Sequence, residues 1–332
     1  MKGVILAGGT GSRLDPLTKV TNKHLLPVYN KPMIYYPIES LINAGIKDIM
    51  IVSGKGHAGD FLELLGSGQK FGASFSYAVQ EEAGGIAQAL GLAENFVDNE
   101  KVVVYLGDNI LQDDIGPAIE EFKKVTMGAR IFLKKVKNPH AYGVAQIKEN
   151  KITKVVEKPQ EFISDLAVVG VYMYDNQVWD IIKTLKPSGR GELEITDVNN
   201  FYVQQDTMKY TILKGWWGDC GESIDTWLEA NNLVAQNNNQ QIIEESSLQI
   251  IKDTARQVVQ EAIKIIKTET PQIVADEYKN IEEKTDQKNT SSSEVKNIYQ
   301  KPLLDLKEDA PNMEDMEFPI EKETSLEDYY AE

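Results

Sequence analysis

The feature that most constrains the fold of this chain is a group of three glycines placed directly after an apolar segment. Residues 3–7 (GVILA) are typical of a buried strand, and Gly8, Gly9 and Gly11 follow them. Glycines allow a backbone to approach a phosphate closely and to present its N–H groups, and the N-terminus of a following helix would add its dipole. The segment matches neither GxxxxGK[ST] nor GxGxxG, because Leu14 stands where the latter needs its third glycine. A phosphate-binding loop and a simple tight turn are therefore both open.

Basic residues close to the glycines favour the phosphate-binding interpretation. Arg13 follows the loop directly, and Lys23 begins the segment KHLLP a short distance downstream. Two cations that converge on one glycine loop suit a triphosphate, whose charge has to be neutralised as pyrophosphate leaves.

Apolar runs alternate with helical patterns over the first 235 residues. Strands are predicted at residues 3–7, 48–52, 101–106 and 129–133, and helices at 33–44, 61–65 and 86–96. Strands that alternate with helices form right-handed crossovers, so we expect an α/β fold with a mostly parallel sheet and helices on both faces. Residues 143–147 and 152–157 flank a Glu149–Asn150 turn and predict a hairpin, within an antiparallel insertion that begins after about residue 130.

The charge balance changes near residue 238. Residues 238–332 hold 22 acidic and 11 basic residues, and the polar run Gln236–Gln241 marks the change. Such a composition buries little apolar surface and favours a linker or disorder, although Leu248–Ile266 has apolar residues at helical spacing. We therefore expect an α/β domain at residues 1–237, an amphipathic helical extension at 238–270 whose apolar face needs burial, and an acidic, disordered tail at 271–332.

Composition excludes several classes of protein. A formal net charge of −16 argues against binding nucleic acid or an anionic membrane. The single cysteine, Cys220, excludes an intramolecular disulfide and a multi-cysteine zinc site, and we expect it to be a packed residue. No apolar run is long enough for a signal peptide or a membrane span. We expect a soluble cytoplasmic protein with neither nucleic acid nor membrane as a partner.

Two aspartates are candidate ligands of a metal ion. Asp108 follows a predicted strand at residues 101–106, and ligands bind at the carboxyl ends of strands in open α/β sheets. Asp219 lies in the glycine-flanked segment GWWGDCG. Carboxylate oxygens suit Mg²⁺. The alternative for Gly107-Asp108-Asn109 is a plain turn.

A second group of polar residues suits a sugar phosphate. Glu157 and Lys158 end the predicted hairpin, and Pro159 predicts an extended backbone before it that projects the two side chains in different directions. A carboxylate can accept hydrogen bonds from sugar hydroxyls, and a lysine can hold a phosphate. An ordinary surface Glu–Lys pair is the alternative, and the same ambiguity applies to Arg190 and to Tyr142-Gly143.

Together these segments closely resemble the sugar-phosphate nucleotidylyltransferases, and within them the glucose-1-phosphate thymidylyltransferases. The resemblance covers about residues 1–235, in the family's order. The segments that carry it are LAGGTGSRLDPLT, NKHLLPVYNKPMIYYPIESLINAGI, YAVQEEAGGIAQAL, LGDNI, YGVA, EKP, AVVGVYMYD and LKPSGRGELEITDVNN. It implies a Rossmann-like sheet with an inserted sugar-binding region, and homo-oligomeric assembly.

The resemblance also implies roles for individual residues. The implied catalytic and phosphate-binding cations are Arg13, Lys23 and Lys158. The implied nucleotide-binding residues are Leu6, Gly8, Gly9, Gly11, His24, Gln80 and Gly85. The implied sugar-phosphate residues are Asp108, Tyr142, Gly143, Glu157, Val168, Tyr172 and Arg190. Asp108 and Asp219 are the implied ligands of a Mg²⁺ cofactor.

The implied reaction is an in-line attack by a sugar 1-phosphate oxygen on the α-phosphorus of a nucleoside triphosphate. The resemblance implies dTTP and glucose 1-phosphate. Two departures from the family pattern leave UTP or another hexose 1-phosphate open: His24 replaces a glutamine, and residues 82–85 replace a loop that contains proline and aspartate. A catalytically silent sugar-nucleotide-binding subunit is the alternative from another class. The intact Arg13, Lys23, Asp108, Lys158 and Asp219 argue against it.

Overall fold

The computed structural model of this chain describes residues 1–268, 275–277 and 279–280. Its strands are β1 Lys2–Ala7, β2 Pro27–Val28, β3 Lys31–Pro32, β4 Asp48–Gly54, β5 Ser74–Gln80, β6 Val102–Leu106, β7 Asn109–Leu111, β8 Ala129–Lys135, β9 Gly143–Lys148, β10 Lys151–Glu157, β11 Leu166–Tyr174, β12 Met208–Ile212 and β13 Trp217–Asp219. Its helices are α1 Tyr35–Asn43, α2 Ala58–Leu65, α3 Ile86–Gly91, α4 Glu94–Val97, α5 Gly116–Lys124, α6 Val178–Thr184, α7 Ile195–Gln204 and α8 Ile224–Thr268.

A nine-stranded sheet organises the first unit of the chain. Its order is β10-β9-β11-β6-β1-β4-β5, and β8 pairs with both β11 and β12. Strands β6, β1, β4 and β5 are parallel to one another, with Gly3 of β1 paired to Val103 of β6 and to Ile49 of β4. The predicted α/β fold with a central, mostly parallel sheet is confirmed.

Helices cover both faces of this sheet, as predicted. Alternate residues along β1 point to opposite faces: Val4 packs into the apolar cluster of α3, α6 and α7, whereas Ile5 packs into the cluster of α1, α2 and α5. Both side chains are fully buried. A strand buried on both faces needs a continuous apolar run, which explains the composition of residues 3–7.

The antiparallel insertion is also confirmed. Strands β9 and β10 pair antiparallel around the turn at Glu149 and Asn150, and both turn residues have positive φ. Strand β11 pairs antiparallel with β6, β8 and β9. Its register against β8 shifts between Val168 and Tyr172, and Gly170 lies inside that irregularity.

Two predicted helices differ from the structure. Residues 86–96 form two short helices, because the backbone N–H groups of Leu92 and Ala93 bond to carbonyls three residues back instead of four. The predicted helix Leu248–Ile266 lies inside the much longer α8, and the supposed linker Gln236–Gln241 is helical.

The long helix has a start signal that the sequence prediction overlooked. The Ser223 hydroxyl accepts a hydrogen bond from the Thr226 backbone N–H, and the Thr226 hydroxyl accepts one from the Ser223 N–H, an arrangement like a capping box. The Gln/Asn run contains no glycine or proline to end the helix.

The chain divides into two units, residues 1–247 and residues from 248 onward. Of the second, the structure describes the end of α8, residues 275–277 and residues 279–280. Ile251 and Val258 of α8 are each 63% exposed. The predicted acidic tail at 271–332 lies almost wholly outside the described residues. Among the described helices, none is both long and apolar enough to cross a bilayer.

Candidate active site

A cleft of about 330 Å³ lies where β1 and β6 end. It brings together sixteen of the eighteen predicted site residues, and Gly11 and Arg190 are the two that do not line it. Arg190 borders an adjoining hollow that Arg13, Glu157 and Lys158 also border. The sixteen are Leu6, Gly8, Gly9, Arg13, Lys23, His24, Gln80, Gly85, Asp108, Tyr142, Gly143, Glu157, Lys158, Val168, Tyr172 and Asp219.

The glycine loop needs its glycines for two different reasons. Gly9 and Gly11 have φ of 88° and 64°, in the left-handed region that favours glycine. A Cβ added to Gly8 would lie 2.7 Å from Gln80 Oε1, so a side chain would displace that amide. The loop continues into a single 3₁₀ turn, Ser12–Leu14. An α-helix that could add its dipole therefore does not follow the loop directly. Backbone N–H groups and nearby cations remain as the groups that could attract a phosphate.

Each of the two loop cations has an acidic partner. Lys23 Nζ lies 2.5 Å from Asp108 Oδ2, and both side chains are largely buried. Arg13 forms an ion pair with Glu222, and the arginine side chain is about half exposed. We call Arg13, Lys23, Asp108, Asp219 and Glu222 the charged wall of the cleft. Its cations are already partnered, so any anionic ligand has to compete with carboxylates for them.

The two candidate metal ligands are brought together by a short two-stranded sheet. Strand β13 pairs with β7 so that Asp219 is opposite Asn109, the neighbour of Asp108. Burial acts to raise the pKa of Asp108, but the Lys23 and His24 charges, together with the hydrogen bonds from Lys23 and Asn109, hold that pKa well below its usual range. Burial, followed by the charge of Asp108, raises the pKa of Asp219 to about 7. Two buried carboxylates in mutual repulsion are a donor set that a hard divalent cation satisfies, so these residues fit Mg²⁺.

Another group of residues forms a less charged wall around α7. The Thr196 hydroxyl donates a hydrogen bond to Glu157 Oε2 at 2.8 Å, and Arg190 Nη2 donates to Glu157 Oε1 at 3.4 Å. A Cβ on Gly143 would lie 3.3 Å from the same carboxylate, so glycine keeps access to it open. We call Glu157, Tyr172, Thr196 and Asn199, which all line the cleft, the α7 wall.

Lys158 corrects one prediction from the sequence. It precedes Pro159, and an extended backbone was expected, but its φ is 41°. The Lys158 N–H donates to the Tyr142 carbonyl at 3.0 Å, which holds the left-handed residue at the end of β10. A non-glycine residue in this region stores about 1–3 kcal/mol of strain. Among the described residues, no carboxylate forms an ion pair with Lys158, in contrast to Arg13 and Lys23.

His24 is a neutral, oriented imidazole. Burial and the adjacent Lys23 charge lower the pKa of His24 to about 3. Asn22 Nδ2 bonds to the Ala7 carbonyl at 3.4 Å, so its Oδ1 faces His24 and accepts from both the backbone N–H and Nδ1. Nε2 therefore remains as an acceptor. Gln80, on the same side as the glycine loop, donates to Gln88 Oε1 and to the Gly85 carbonyl.

Several residues of the cleft were not predicted. Asn109 Oδ1 accepts from Trp217 Nε1 at 2.8 Å and from the Gly170 N–H at 2.9 Å, while its Nδ2 donates to Asp108 Oδ1. Its place directly after Asp108 was the available signal. Further unpredicted residues of the cleft include Thr196, Asn199, Trp217 and Glu222. Thr196 and Asn199 have helical i, i+3 spacing, a signal that becomes useful only once α7 is known to border the cleft.

Cys220, beside Asp219, is fully buried, as predicted for a packed residue. Burial, with the charges of Asp108 and Asp219, raises the pKa of its thiol. Its backbone N–H donates to the Asp108 carbonyl at 2.9 Å. The cysteine therefore supports the aspartates through its backbone and is not activated as a nucleophile.

Comparisons with known proteins agree on a nucleotidyltransferase family. Residues 2–237 match the Nucleotidyl transferase family. A glucose-1-phosphate thymidylyltransferase of Neisseria meningitidis serogroup A is 46% identical over 225 residues, which are 67% of this chain and 78% of that protein.

Two solved structures are similar over about 70% of this chain. A candidate glucose-1-phosphate thymidylyltransferase from Bacillus anthracis, in complex with a sucrose, is 55% identical with a TM-score of 0.68; 70% of this chain and 94% of that one are covered. A UDP-glucose pyrophosphorylase complexed with UDP-glucose is 26% identical with a TM-score of 0.63, over 71% and 98% of the two chains.

Proposed function

Because this chain belongs to the nucleotidyl transferase family and is a nucleotidyltransferase, we propose that it transfers the thymidylyl group of dTTP to glucose 1-phosphate, releasing pyrophosphate. The observation that carries this proposal is one cleft in which a glycine loop, three cations and two aspartates face a wall of hydrogen-bonding groups. The names of the relatives support the same pair of substrates.

The proposed reaction is a single in-line displacement. An oxygen of the sugar 1-phosphate forms a bond to the α-phosphorus of dTTP while the bond to the bridging oxygen of pyrophosphate breaks. Arg13 and Lys23 neutralise the charge that develops on the leaving pyrophosphate, and Lys158 holds the sugar phosphate in line. Since a phosphate oxygen is already a nucleophile, no residue has to form a covalent intermediate.

Asp108 and Asp219 would hold Mg²⁺, the metal that their oxygen donors fit. The bound cation would offset the negative charge of the two phosphates as they approach each other. The chain's own contribution is to orient both carboxylates. Asn109 does this through its bond to Asp108, and the Gly221 N–H does it through a 3.0 Å bond to Asp219 Oδ1.

Substrate binding requires the charged wall to exchange partners. Lys23 has to move from Asp108 towards a phosphate, and Arg13 has to leave Glu222. A triphosphate offers more negative charge than one carboxylate, so it can compete for both cations.

UTP in place of dTTP is the second candidate, and other hexose 1-phosphates are the third. The similarity to a UDP-glucose pyrophosphorylase favours considering UTP. The nucleobase region contains His24 and the Gly84–Gly85 loop, where the sequence departs from the thymidylyltransferase pattern. The proposal remains thymidylyl transfer, because the more similar relatives carry that name.

A substrate matrix tests the proposal. The full chain is incubated with Mg²⁺ and each combination of dTTP, UTP, ATP, CTP and GTP with glucose, galactose and mannose 1-phosphate, and pyrophosphate release is measured. We expect the largest kcat/KM for dTTP with glucose 1-phosphate. A larger value for UTP would move the assignment to uridylyl transfer, and no release in any combination would refute the proposed reaction.

A further inference from the structure

Asn199 is a buried residue of the cleft whose hydrogen bonding is incomplete. It lies on α7, is 1% exposed and lines the cleft. Its Oδ1 accepts a hydrogen bond from the Tyr174 hydroxyl at 2.7 Å. Its Nδ2 has no hydrogen-bond partner within the described part of the chain. Buried amide nitrogens without an acceptor are unfavourable and uncommon in folded proteins, so this one requires an explanation.

The adjacent Asn200 has a structural role on the same helix. Asn200 Oδ1 accepts from the Val155 N–H at 2.9 Å, and its Nδ2 donates to the Val155 carbonyl at 2.8 Å. Both polar groups of Asn200 are thus used to fasten α7 to β10. In Asn199 the oxygen is used within the protein, and the nitrogen is left without a partner among the described residues.

The surroundings of Asn199 are closely packed and suit a hydroxyl group. Tyr172 stacks on Tyr174 with a centroid distance of 6.1 Å and an interplanar angle of 8°, and Tyr174 stacks in turn on Tyr202. Thr196, one helical turn before Asn199, donates to Glu157. The α7 wall therefore offers a carboxylate acceptor and an amide donor, and a hydroxyl can satisfy both because it donates and accepts.

We propose that Asn199 determines specificity for the sugar, by donating a hydrogen bond from Nδ2 to a hydroxyl oxygen of the hexose 1-phosphate. This inference rests on the proposed function. The triphosphate is drawn to Arg13 and Lys23 in the charged wall, whereas the α7 wall carries neutral donors beside Glu157. A hexose presents several hydroxyls to such a wall, and a site that pairs with a hydroxyl discriminates strongly against an analogue that lacks it.

The test combines one variant with a series of substrate analogues. Wild type and Asn199→Ala are assayed with dTTP and glucose 1-phosphate, and then with 2-, 3-, 4- and 6-deoxyglucose 1-phosphate. We expect Asn199→Ala to lower kcat/KM for glucose 1-phosphate about tenfold, mainly through KM for the sugar, because one neutral hydrogen bond is lost. With one of the deoxy analogues, the two proteins should differ less than about twofold, because that analogue cannot make the bond in either.

Two control variants separate this role from a structural one. Asn200→Ala should lower the thermal midpoint and leave the pattern across the deoxy series unchanged. Should Asn199→Ala fail to fold, the double variant Asn199→Leu/Tyr174→Phe is compared with Tyr174→Phe alone, because replacing both partners of a buried hydrogen bond with apolar groups of similar shape preserves packing.

The outcomes are distinct. An equal loss with every sugar analogue, or a loss that appears in KM for dTTP while KM for the sugar is unchanged, would overturn the role of Asn199. If the wild-type protein releases no pyrophosphate from dTTP with any hexose 1-phosphate, the proposed function fails, and the Asn199 assignment fails with it. An active wild type whose Asn199→Ala variant shows no loss refutes the assignment of Asn199 alone.

Discussion

We expect the two walls of the cleft to bind their ligands in different ways. In the charged wall, Arg13 and Lys23 are already paired with Glu222 and Asp108, so binding exchanges one ionic partner for another. In the α7 wall, the Tyr174 hydroxyl holds Asn199 Oδ1, Thr196 and Arg190 hold Glu157, and Asn199 Nδ2 has no partner among the described residues. Binding there adds a hydrogen bond instead of replacing an ion pair.

This difference predicts where each kind of selectivity arises. Where ion pairs must break before a ligand binds, the affinity depends strongly on the charge of that ligand. The released cations contribute most when charge develops in the transition state. A fixed arrangement of neutral groups responds to the position of a hydroxyl. We therefore expect variants of the charged wall to change kcat and variants near the α7 wall to change KM for the sugar.

The largest expected effect is the loss of either metal-binding carboxylate. Asp108→Asn and Asp219→Asn should each lower kcat at saturating substrates by roughly 10³-fold, since the divalent cation contributes several kcal/mol of charge stabilisation. Pyrophosphate release gives the rate, and circular dichroism checks that the variants are folded. Near-normal turnover in both variants would exclude the two-aspartate metal site. It would also contradict the expectation that variants of the charged wall change kcat.

The next effect concerns Arg13 and its acidic partner. Arg13→Ala should lower kcat by about 10²-fold with a smaller change in KM for the nucleotide, because its charge is needed most as pyrophosphate leaves. Glu222→Gln should instead strengthen nucleotide binding and lower KM for the nucleotide, because no carboxylate then competes with the nucleotide for Arg13. An increase in KM with Glu222→Gln would contradict partner exchange.

A smaller effect is expected at Lys158. Lys158→Ala should raise KM for the sugar 1-phosphate about tenfold, the loss expected for a hydrogen bond from a charged group, while kcat changes less. Lys154→Ala, on the exposed side of β10, is the matched control. If Lys158→Ala weakened only the nucleotide, this lysine would belong with the charged wall.

The smallest expected effect is on stability and depends on pH. The pKa of Asp219 is raised to about 7 from an ordinary 3.8, so between these values the folded state binds more protons than the unfolded state. Stability contributed by the protonated carboxyl is therefore lost as pH rises from about 4 to about 7. In the presence of a chelator, Asp219→Asn should raise the thermal midpoint by about 2–4 °C at pH 8 and change it little at pH 4. Asp180→Asn, an exposed carboxylate on α6, should show no such dependence.

The sequence predicts the two walls unequally, for a physical reason. Most of the charged wall comes from short segments in which strand, glycine loop and cation follow one another, so residues 3–13 and Asp108 are recognisable locally. The α7 wall joins Glu157, Tyr172, Thr196 and Asn199 from three elements, and no local pattern reveals that they meet. Glu222 was missed because its only signal, proximity to Asp219, does not predict a contact with Arg13.

The errors in secondary structure have local causes. The φ of Lys158 is decided by its hydrogen bond to the Tyr142 carbonyl, which overrides the preference set by Pro159. The run at Gln236–Gln241 was interpreted as a linker because it is polar, yet its residues are compatible with a helix that starts at the Ser223 cap. The proposed boundaries at residues 237 and 270 stay predictions.

The hydrogen bonds of Asn109 limit which positions can be varied to change the sugar selectivity of this enzyme. The one amide of Asn109 links Asp108, Trp217 and the Gly170 backbone, and a Cβ at Gly170 would lie 2.8 Å from its Oδ1. A library that varies position 109 or 170 to broaden the range of sugars will also disturb an aspartate proposed to bind the metal. A single screen will then not separate effects on sugar selectivity from effects on turnover. Positions 196 and 199 on α7 lack that link, and they are the better starting points for changing selectivity while turnover is retained.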